Sequence, residues 1–299
     1  MSCSSGAECD FIAGTPCPIC GGNVAPMLKF GGVEVLRCKS CDVGITSPPE
    51  SVINADYTEL PTWSQNVADQ EEKFRGYQRK VLCYVQRHVR AGRLMDVGCS
   101  TGLLVDEARR AGFEAEGIDL DPHAVARGKS AGRPVHRAAI DDWDGGSYDV
   151  VCLSHTLEHV RDPAPFLRSC AALLKPQGVL CVVVPCYTGL LPKVVPRWWY
   201  GWVLMQHYYH YSVPALERLF HAAGMNVIYR RQYSMAHNVS WSGWRQWRDT
   251  VKSIIAAPLA RLGGWIGLGD QVVVIGRPHA GVEVHGRRAQ ECGRDVNPS

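Results

Sequence analysis

Three sets of residues in this 299-residue chain have types and spacings that could do chemistry. The first is Asp96-Val97-Gly98-Cys99-Ser100-Thr101-Gly102, which follows the apolar pair Leu94-Met95 and is answered by Asp119, 17 residues after Gly102. Glycines at a strand tip let a ligand approach the backbone, and a helix beginning there offers free N–H groups to a polar ligand. A carboxylate at the end of the next strand can accept hydrogen bonds from both hydroxyls of a ribose. The second set is Cys17, Cys20, Cys38 and Cys41, two C-x2-C pairs with seventeen residues between them. Each pair can aim two thiolates at one ion, so the four together make a closed tetrahedral site suited to structural Zn2+. The third set is His155, His159 and His207, imidazoles that could move a proton near neutral pH.

The elements that must position these residues follow from hydrophobic pattern. Leu94 to Val97 reads as a buried parallel strand, Leu103 to Ala111 as an amphipathic helix, and Phe113 to Leu120 as the next strand, which together form a βαβ unit. The loop is D-x-G-x-S-x-G rather than G-x-G-x-x-G, so no pyrophosphate cradle is expected and a dinucleotide is disfavoured. Upstream, Phe74, Tyr77, Val81, Val85 and Val89 recur at helical spacing from Asp69 to Arg90. Downstream, Asp121-Pro122 opens a helix to about Ser130, Pro134 to Ala138 is a short strand, and Ser147 to Leu153 is a strand whose end presents His155. Asp162-Pro163 caps a helix to Leu174, Gly178 to Val184 forms another strand, and Met225 to Tyr233 with Gln271 to Ile275 supply the last two. Between the cysteine pairs, Met27 to Leu36 alternates as a hairpin would, which defines a ribbon of residues 15–47.

The glycine loop with Asp119 resembles motif I and the acidic ribose ligand of class I S-adenosylmethionine (SAM) dependent methyltransferases. The string Leu157-Glu158-His159-Val160-x-Asp162-Pro163 is similar to the stretch after the fourth strand in ubiquinone-type and natural-product methyltransferases, and the resemblance runs through residues 70–185. It implies an α/β fold, a seven-stranded Rossmann-like sheet of order 3-2-1-4-5-7-6 preceded by the small four-cysteine ribbon. It also implies that Asp96 holds the methionine end of SAM, that Gly98, Cys99, Ser100 and Gly102 pass beneath the cofactor, and that Asp119 with Leu120 meets the ribose. Ile140 and Asp141 are expected along the adenine, with Asp142 an equal rival to Asp141, and Ser154 lies at the end of the fourth strand. His155 is expected as the base, and His207, in a string resembling the H-x-x-H-[FY]-S pattern of bacterial small-molecule methyltransferases, as a second candidate. For His159 a role in tying the loop together is expected. Both His155 and His207 also admit a purely structural reading.

Two segments exceed the usual connection length: residues 186–211, rich in Trp and Tyr, and residues 234–269, which carry Trp241, Trp244, Trp247 and Trp265 with Arg245, Arg248, Lys252 and Arg261. They read as a lid over an acceptor pocket, with a peripheral membrane contact through 234–269 as the competing reading. The organisation expected is a disordered N-terminus (1–14), the ribbon (15–47), a linker (48–68), the methyltransferase domain (69–278) and a disordered tail (279–299). Residues 1–68 carry three Lys/Arg against seven Asp/Glu, whereas residues 187–299 carry thirteen against six. An acidic ribbon argues against a nucleic-acid substrate and for a small-molecule acceptor. The N-terminus lacks a basic, apolar leader and no stretch approaches the roughly 20 apolar residues of a spanning helix, so a cytoplasmic protein with reduced thiols is expected.

Overall fold

The computed structural model describes residues 14–30, 33–46, 70–196, 199, 201–234 and 247–279. Apart from Gly14 and His279, the expected disordered ends and the linker lie outside the described residues, as do Trp198, Trp241, Trp244 and the side chain of Trp247.

Apolar strands too hydrophobic to face water assemble into one seven-stranded sheet: β4 (Gly92–Val97), β5 (Phe113–Asp119), β6 (Val135–Arg137), β7 (Tyr148–Ser154), β8 (Leu174–Pro185), β10 (Met225–Tyr233) and β11 (Gln271–Pro278). Its spatial order is β10-β11-β8-β7-β4-β5-β6. Numbered within that sheet alone, this is 3-2-1-4-5-7-6. β4, β5, β6, β7 and β8 are parallel, and β11 alone runs against its neighbours. Two buried clusters cover the faces, one holding Met95, Val97, Leu153 and Val182, the other Leu94, Val150, Cys152 and Val183. The alternation along β4, β7 and β8 is what a parallel sheet covered on both sides requires.

Helix α1 (Glu71–Val85) is four turns rather than the six the pattern suggested, and it ends where Gln86 to His88 tighten into a turn. It is pinned to α2 (Leu103–Arg110) by Arg75, which reaches Glu71 at 2.7 Å, Asp106 at 2.6 Å and Glu107 at 2.7 Å. A buried guanidinium is tolerated there because its donors meet three carboxylates. α3 (Pro122–Ser130) begins where the Asp121 side chain accepts from the N–H groups of His123 and Ala124. α4 (Pro163–Ala172), the short α5 (Leu190–Val194), α6 (Val213–Ala222) and α7 (Trp247–Trp265) complete the helices described.

The ribbon hairpin pairs β1 (Val24–Phe30) with β2 (Val33–Cys38), and β2 pairs in turn with β3 (Gly44–Ile45). A fourth strand, β9 (Tyr209–His210), comes from the first insertion and pairs antiparallel with β3. The sequence pattern suggested two separate units. In the fold, Cys38, Val43 and Ile45 share one core with Tyr209, Tyr211 and Leu157. The physical reason is size: a hairpin of this length cannot bury enough apolar surface alone and borrows it from the domain.

Candidate functional site

The parallel strands bring their carboxyl ends to one edge, and the expected cofactor residues meet there. After Val97 the chain turns through Gly98 (φ +77°), Ser100 (φ +50°) and Gly102 (φ +77°). Glycine is required at 98, because a Cβ there would lie 2.4 Å from Thr156 Oγ1, whose hydroxyl donates to Val97 O at 3.0 Å. Gly102 starts α2 without any side-chain cap, so the first N–H groups of that helix face the site unoccupied by a side chain. Asp119 receives the N–H of Ser100 on Oδ2 at 2.7 Å and that of Asp121 on Oδ1 at 2.8 Å. Each oxygen retains lone-pair capacity, so the carboxylate is oriented by the backbone and still able to accept two hydroxyls.

Asp96 is the unusual group. It is fully buried, its Oδ1 has no hydrogen-bond partner among the described residues, and burial followed by repulsion from Asp119 pushes its carboxyl up to about 8. Asp119 is also raised, first by burial, with the N–H groups of Asp121 and Ser100 opposing. The Ser100 hydroxyl is likewise buried without a partner. A buried carboxyl kept protonated by desolvation, a second carboxylate beside it and an orphan hydroxyl at a glycine loop leave unmet hydrogen-bonding capacity that a ligand with a cationic group and hydroxyl donors would satisfy. A sulfonium with an ammonium group and a ribose meets that demand, and these residues therefore fit SAM.

The remaining expected contacts are distributed around this pair. Ile140 is buried at the start of a short 3-10 turn, and Asp141 accepts the Ser169 hydroxyl at 2.7 Å, which ties it to α4. Leu120 is 57% exposed, free to cover one side of a ligand. The Cys99 side chain is buried, and a Cβ added at Gly117 would lie 2.6 Å from its own Cβ, so it packs against the sheet and only its backbone borders the loop. Ser154 Oγ bonds Gln78 Oε1 of α1 at 3.3 Å.

On the acceptor side of β7 the backbone is strained. His155 adopts φ +59°, a left-handed conformation that a non-glycine residue rarely takes outside a site that needs it, and its N–H is fixed by Val183 O at 2.9 Å. The turn Leu157–His159 folds Glu158 back so that its Oε1 lies 3.3 Å from His155 Nδ1. The sequence motif contains Glu158 without assigning it a role, and its spacing of three from His155 is the signal that could have found this contact. Burial would raise its carboxyl, yet the bond to His155 and the charges of His155, His159 and His207 hold it down to about 2. It is therefore an ionised carboxylate ringed by imidazoles.

His207 completes the ring. Its imidazole is buried, meets His159 edge-on at 4.6 Å, and has Nδ1 without a partner. Burial, partly offset by Glu158, pushes it down to about 4, so it is neutral at pH 7. Glu158, His159 and His207 each place one ligand atom within 4.8 Å of the others, a donor set able to hold a divalent cation. The ribbon builds this wall: the Thr46 hydroxyl donates to His207 O, Thr46 N–H to Tyr208 O at 2.9 Å, and Tyr208 N–H to Glu158 O at 2.9 Å. No sequence signal pointed to Thr46, because the contact spans 161 residues of chain. In the ribbon itself, Cys17 and Cys41 Sγ are 3.6 Å apart and Cys20 and Cys38 Sγ 3.5 Å apart. Those separations are too long for disulfides and match the edges of about 3.8 Å expected of sulfurs around Zn2+ at about 2.3 Å. The four-cysteine cluster fits a zinc ribbon.

Sheet order, glycine loop and paired carboxylates define a class I SAM-dependent methyltransferase. The chain belongs to the methyltransferase-domain family, whose model matches residues 70–230. It is 32% identical over 171 residues to a ubiquinone biosynthesis O-methyltransferase of Caulobacter vibrioides, a match covering 52% of this chain and 68% of that one. The corresponding protein of Ralstonia nicotianae is 39% identical over 95 residues, covering 29% of this chain and 40% of its own length. Among solved structures, the magnesium protoporphyrin IX methyltransferase of Synechocystis with bound S-adenosylhomocysteine (SAH) shares the fold at a TM-score of 0.53 and 12% identity, covering 77% of this chain and all of that one. The 1,6-didemethyltoxoflavin-N1-methyltransferase of Burkholderia thailandensis, with bound 1,6-didemethyltoxoflavin and SAH, aligns at a TM-score of 0.51 and 16% identity over 85% of this chain and 98% of its own.

Proposed function

We propose that this chain transfers the methyl group of SAM to a small-molecule acceptor held between the carboxyl ends of β7 and β8 and the histidine wall, with His155 as the base. The observation that supports this reading most is the pair Asp96 and Asp119 beside the Gly98 turn, two acidic side chains of which Asp96 is fully buried with an unmet hydrogen bond. Asp96 and the loop from Gly98 to Gly102 would hold the methionine end and Asp119 the ribose. SAM, when bound, supplies an electrophilic methyl on sulfur.

The residues of the chain then have three tasks. The strained turn at His155 aims its imidazole outward from the sheet edge, where its side chain remains 32% exposed. Nδ1 faces the ionised Glu158 carboxylate at 3.3 Å, an arrangement that favours a proton on Nδ1, so that Nε2 would be the nitrogen that accepts one from the acceptor. Trp199, Trp202, Tyr187 and Leu191, which pack with Ala260 and Met27 into a third core, exclude water from one side. Zn2+ held by Cys17, Cys20, Cys38 and Cys41 would have no open coordination position, so its role would be structural. An acceptor is sought by following SAH release across phenols, quinol-like rings and sugars. The reading predicts turnover with at least one class, lost in His155→Gln while SAH still binds. Turnover unaffected by His155→Gln removes the base from the proposal.

A further inference from the structure

On the same sheet edge, at its far side, lies a second pocket that the methyl-transfer site does not use. Tyr233 ends β10 and pairs with Gln271, and Gln271 pairs with Pro185 at the end of β8, so Tyr233 and Ser234 stand level with the carboxyl ends of the parallel strands. A cavity of about 490 Å3 opens there, lined by Lys80, Tyr84, Arg87, Arg231, Tyr233, Ser234 and Arg261 among others.

Among the described residues four cations and no carboxylate line it, and the contacts that hold Lys80 and Arg87 are with neutral groups. Lys80 donates to Ser234 O at 3.1 Å and stands 4.4 Å over the Tyr233 ring. Arg87 lies 5.6 Å over Tyr84 and 5.7 Å over Tyr229, and donates to the Tyr229 hydroxyl at 3.1 Å. The Lys80 ammonium is pushed below its usual range, first by burial and next by Arg231, with Asp270 behind it only partly compensating. The Tyr233 and Ser234 hydroxyls are buried and have no hydrogen-bond partner among the described residues. Two cations held over aromatic faces, two arginines beside them and two hydroxyls without a partner among the described residues leave a concentrated positive charge and unused donors, the arrangement a phosphate group satisfies.

We infer that Lys80, Arg87, Arg231 and Arg261, with the Tyr233 and Ser234 hydroxyls, form a binding site for a phosphate or diphosphate group. Its position on the ligand edge makes it a subsite for a phosphate-bearing acceptor; that further step rests on the methyl-transfer reading, whereas the anion site does not. The phosphate belongs either to a soluble phosphoester or to a lipid headgroup, and Leu262, Trp265 and Ile266, exposed beside the pocket, would suit the second.

The test uses the full chain. Inorganic pyrophosphate is titrated calorimetrically, and binding to phosphatidylglycerol vesicles is measured against phosphatidylcholine vesicles, for the wild type, Arg231→Gln, Arg261→Gln and Tyr233→Phe, with SAH affinity as the check on folding. Pyrophosphate binding that weakens about tenfold in each arginine variant, as loss of one charge-assisted bond predicts, with unchanged SAH affinity, supports the site and a soluble phosphoester. Selective binding to the anionic vesicles that falls in the same variants supports the site and a headgroup. Absence of both, or binding indifferent to Arg231 and Arg261, overturns it. Loss of SAH binding in the wild type would instead count against the methyl-transfer reading and leave the anion result standing.

Discussion

Cofactor binding should be coupled to proton release from Asp96, with a size that the structure sets. With its carboxyl at about 8 in the empty site, Asp96 is protonated through the acid and neutral range. A cationic ligand beside it favours the carboxylate, so binding expels the proton and affinity rises with pH until the free group itself ionises. If the bound carboxyl titrates below pH 5, affinity should rise about 30-fold between pH 5.5 and pH 7, given a free value of about 8. The range stops at pH 7 so that an α-amino group, whose ordinary value is about 7.7–8, stays charged. Calorimetric SAH titration in buffers of different ionisation enthalpy reads the release directly, close to one proton at pH 6. Asp96→Asn should bind more weakly at pH 7 and show a flat profile. The sign for folding is opposite: a carboxyl raised in the native state opposes stability increasingly as pH climbs from its unfolded value, 3.8, toward about 8, so the ligand-free protein loses stability over that range through Asp96. A pH-independent SAH affinity with no proton released would refute the placement of a ligand cation against Asp96.

Three further outcomes follow from the same geometry. Gly98→Ala should reduce SAH affinity at least tenfold while β4 stays folded, because the new Cβ meets Thr156 and the left-handed turn is strained, as calorimetry and circular dichroism can check; wild-type affinity would sink the loop assignment. Glu158→Gln should lower kcat more than it lowers SAH affinity, since the carboxylate facing His155 is lost; an unchanged kcat would make Glu158 merely structural. Cys38→Ser should release zinc and also increase hydrogen exchange at Tyr208 to His210, because β9 is paired to the ribbon; unchanged protection there would show that the ribbon does not hold the histidine wall.

How much of this could be read in the sequence depended on how local each determinant is. The βαβ unit with Asp96, Gly98 and Asp119 was legible because its parts are close in the chain and its glycines have one geometric reason to be there. The four cysteines were legible for the same reason. Glu158 was visible in its string but not its burial, since the turn that folds it under His155 is fixed by Val183 and Tyr208 from other elements. Thr46 and the pairing of Gly44 with His210 were illegible: they depend on the first insertion crossing back to the ribbon, a contact for which neither segment carries a local signal. The short α1 shows the limit of periodicity, because Val89 keeps the apolar rhythm after the helix has ended.

The most direct measurement is calorimetric titration of SAH into the wild-type protein and into Asp119→Ala. The wild type should bind one equivalent. The variant removes a carboxylate held by Ser100 and Asp121 and with it the acceptor for two ribose hydroxyls, so it should bind at least about a hundredfold more weakly while remaining folded. Unchanged SAH affinity in a folded Asp119→Ala protein, or no SAH binding by the wild type, would contradict the cofactor site.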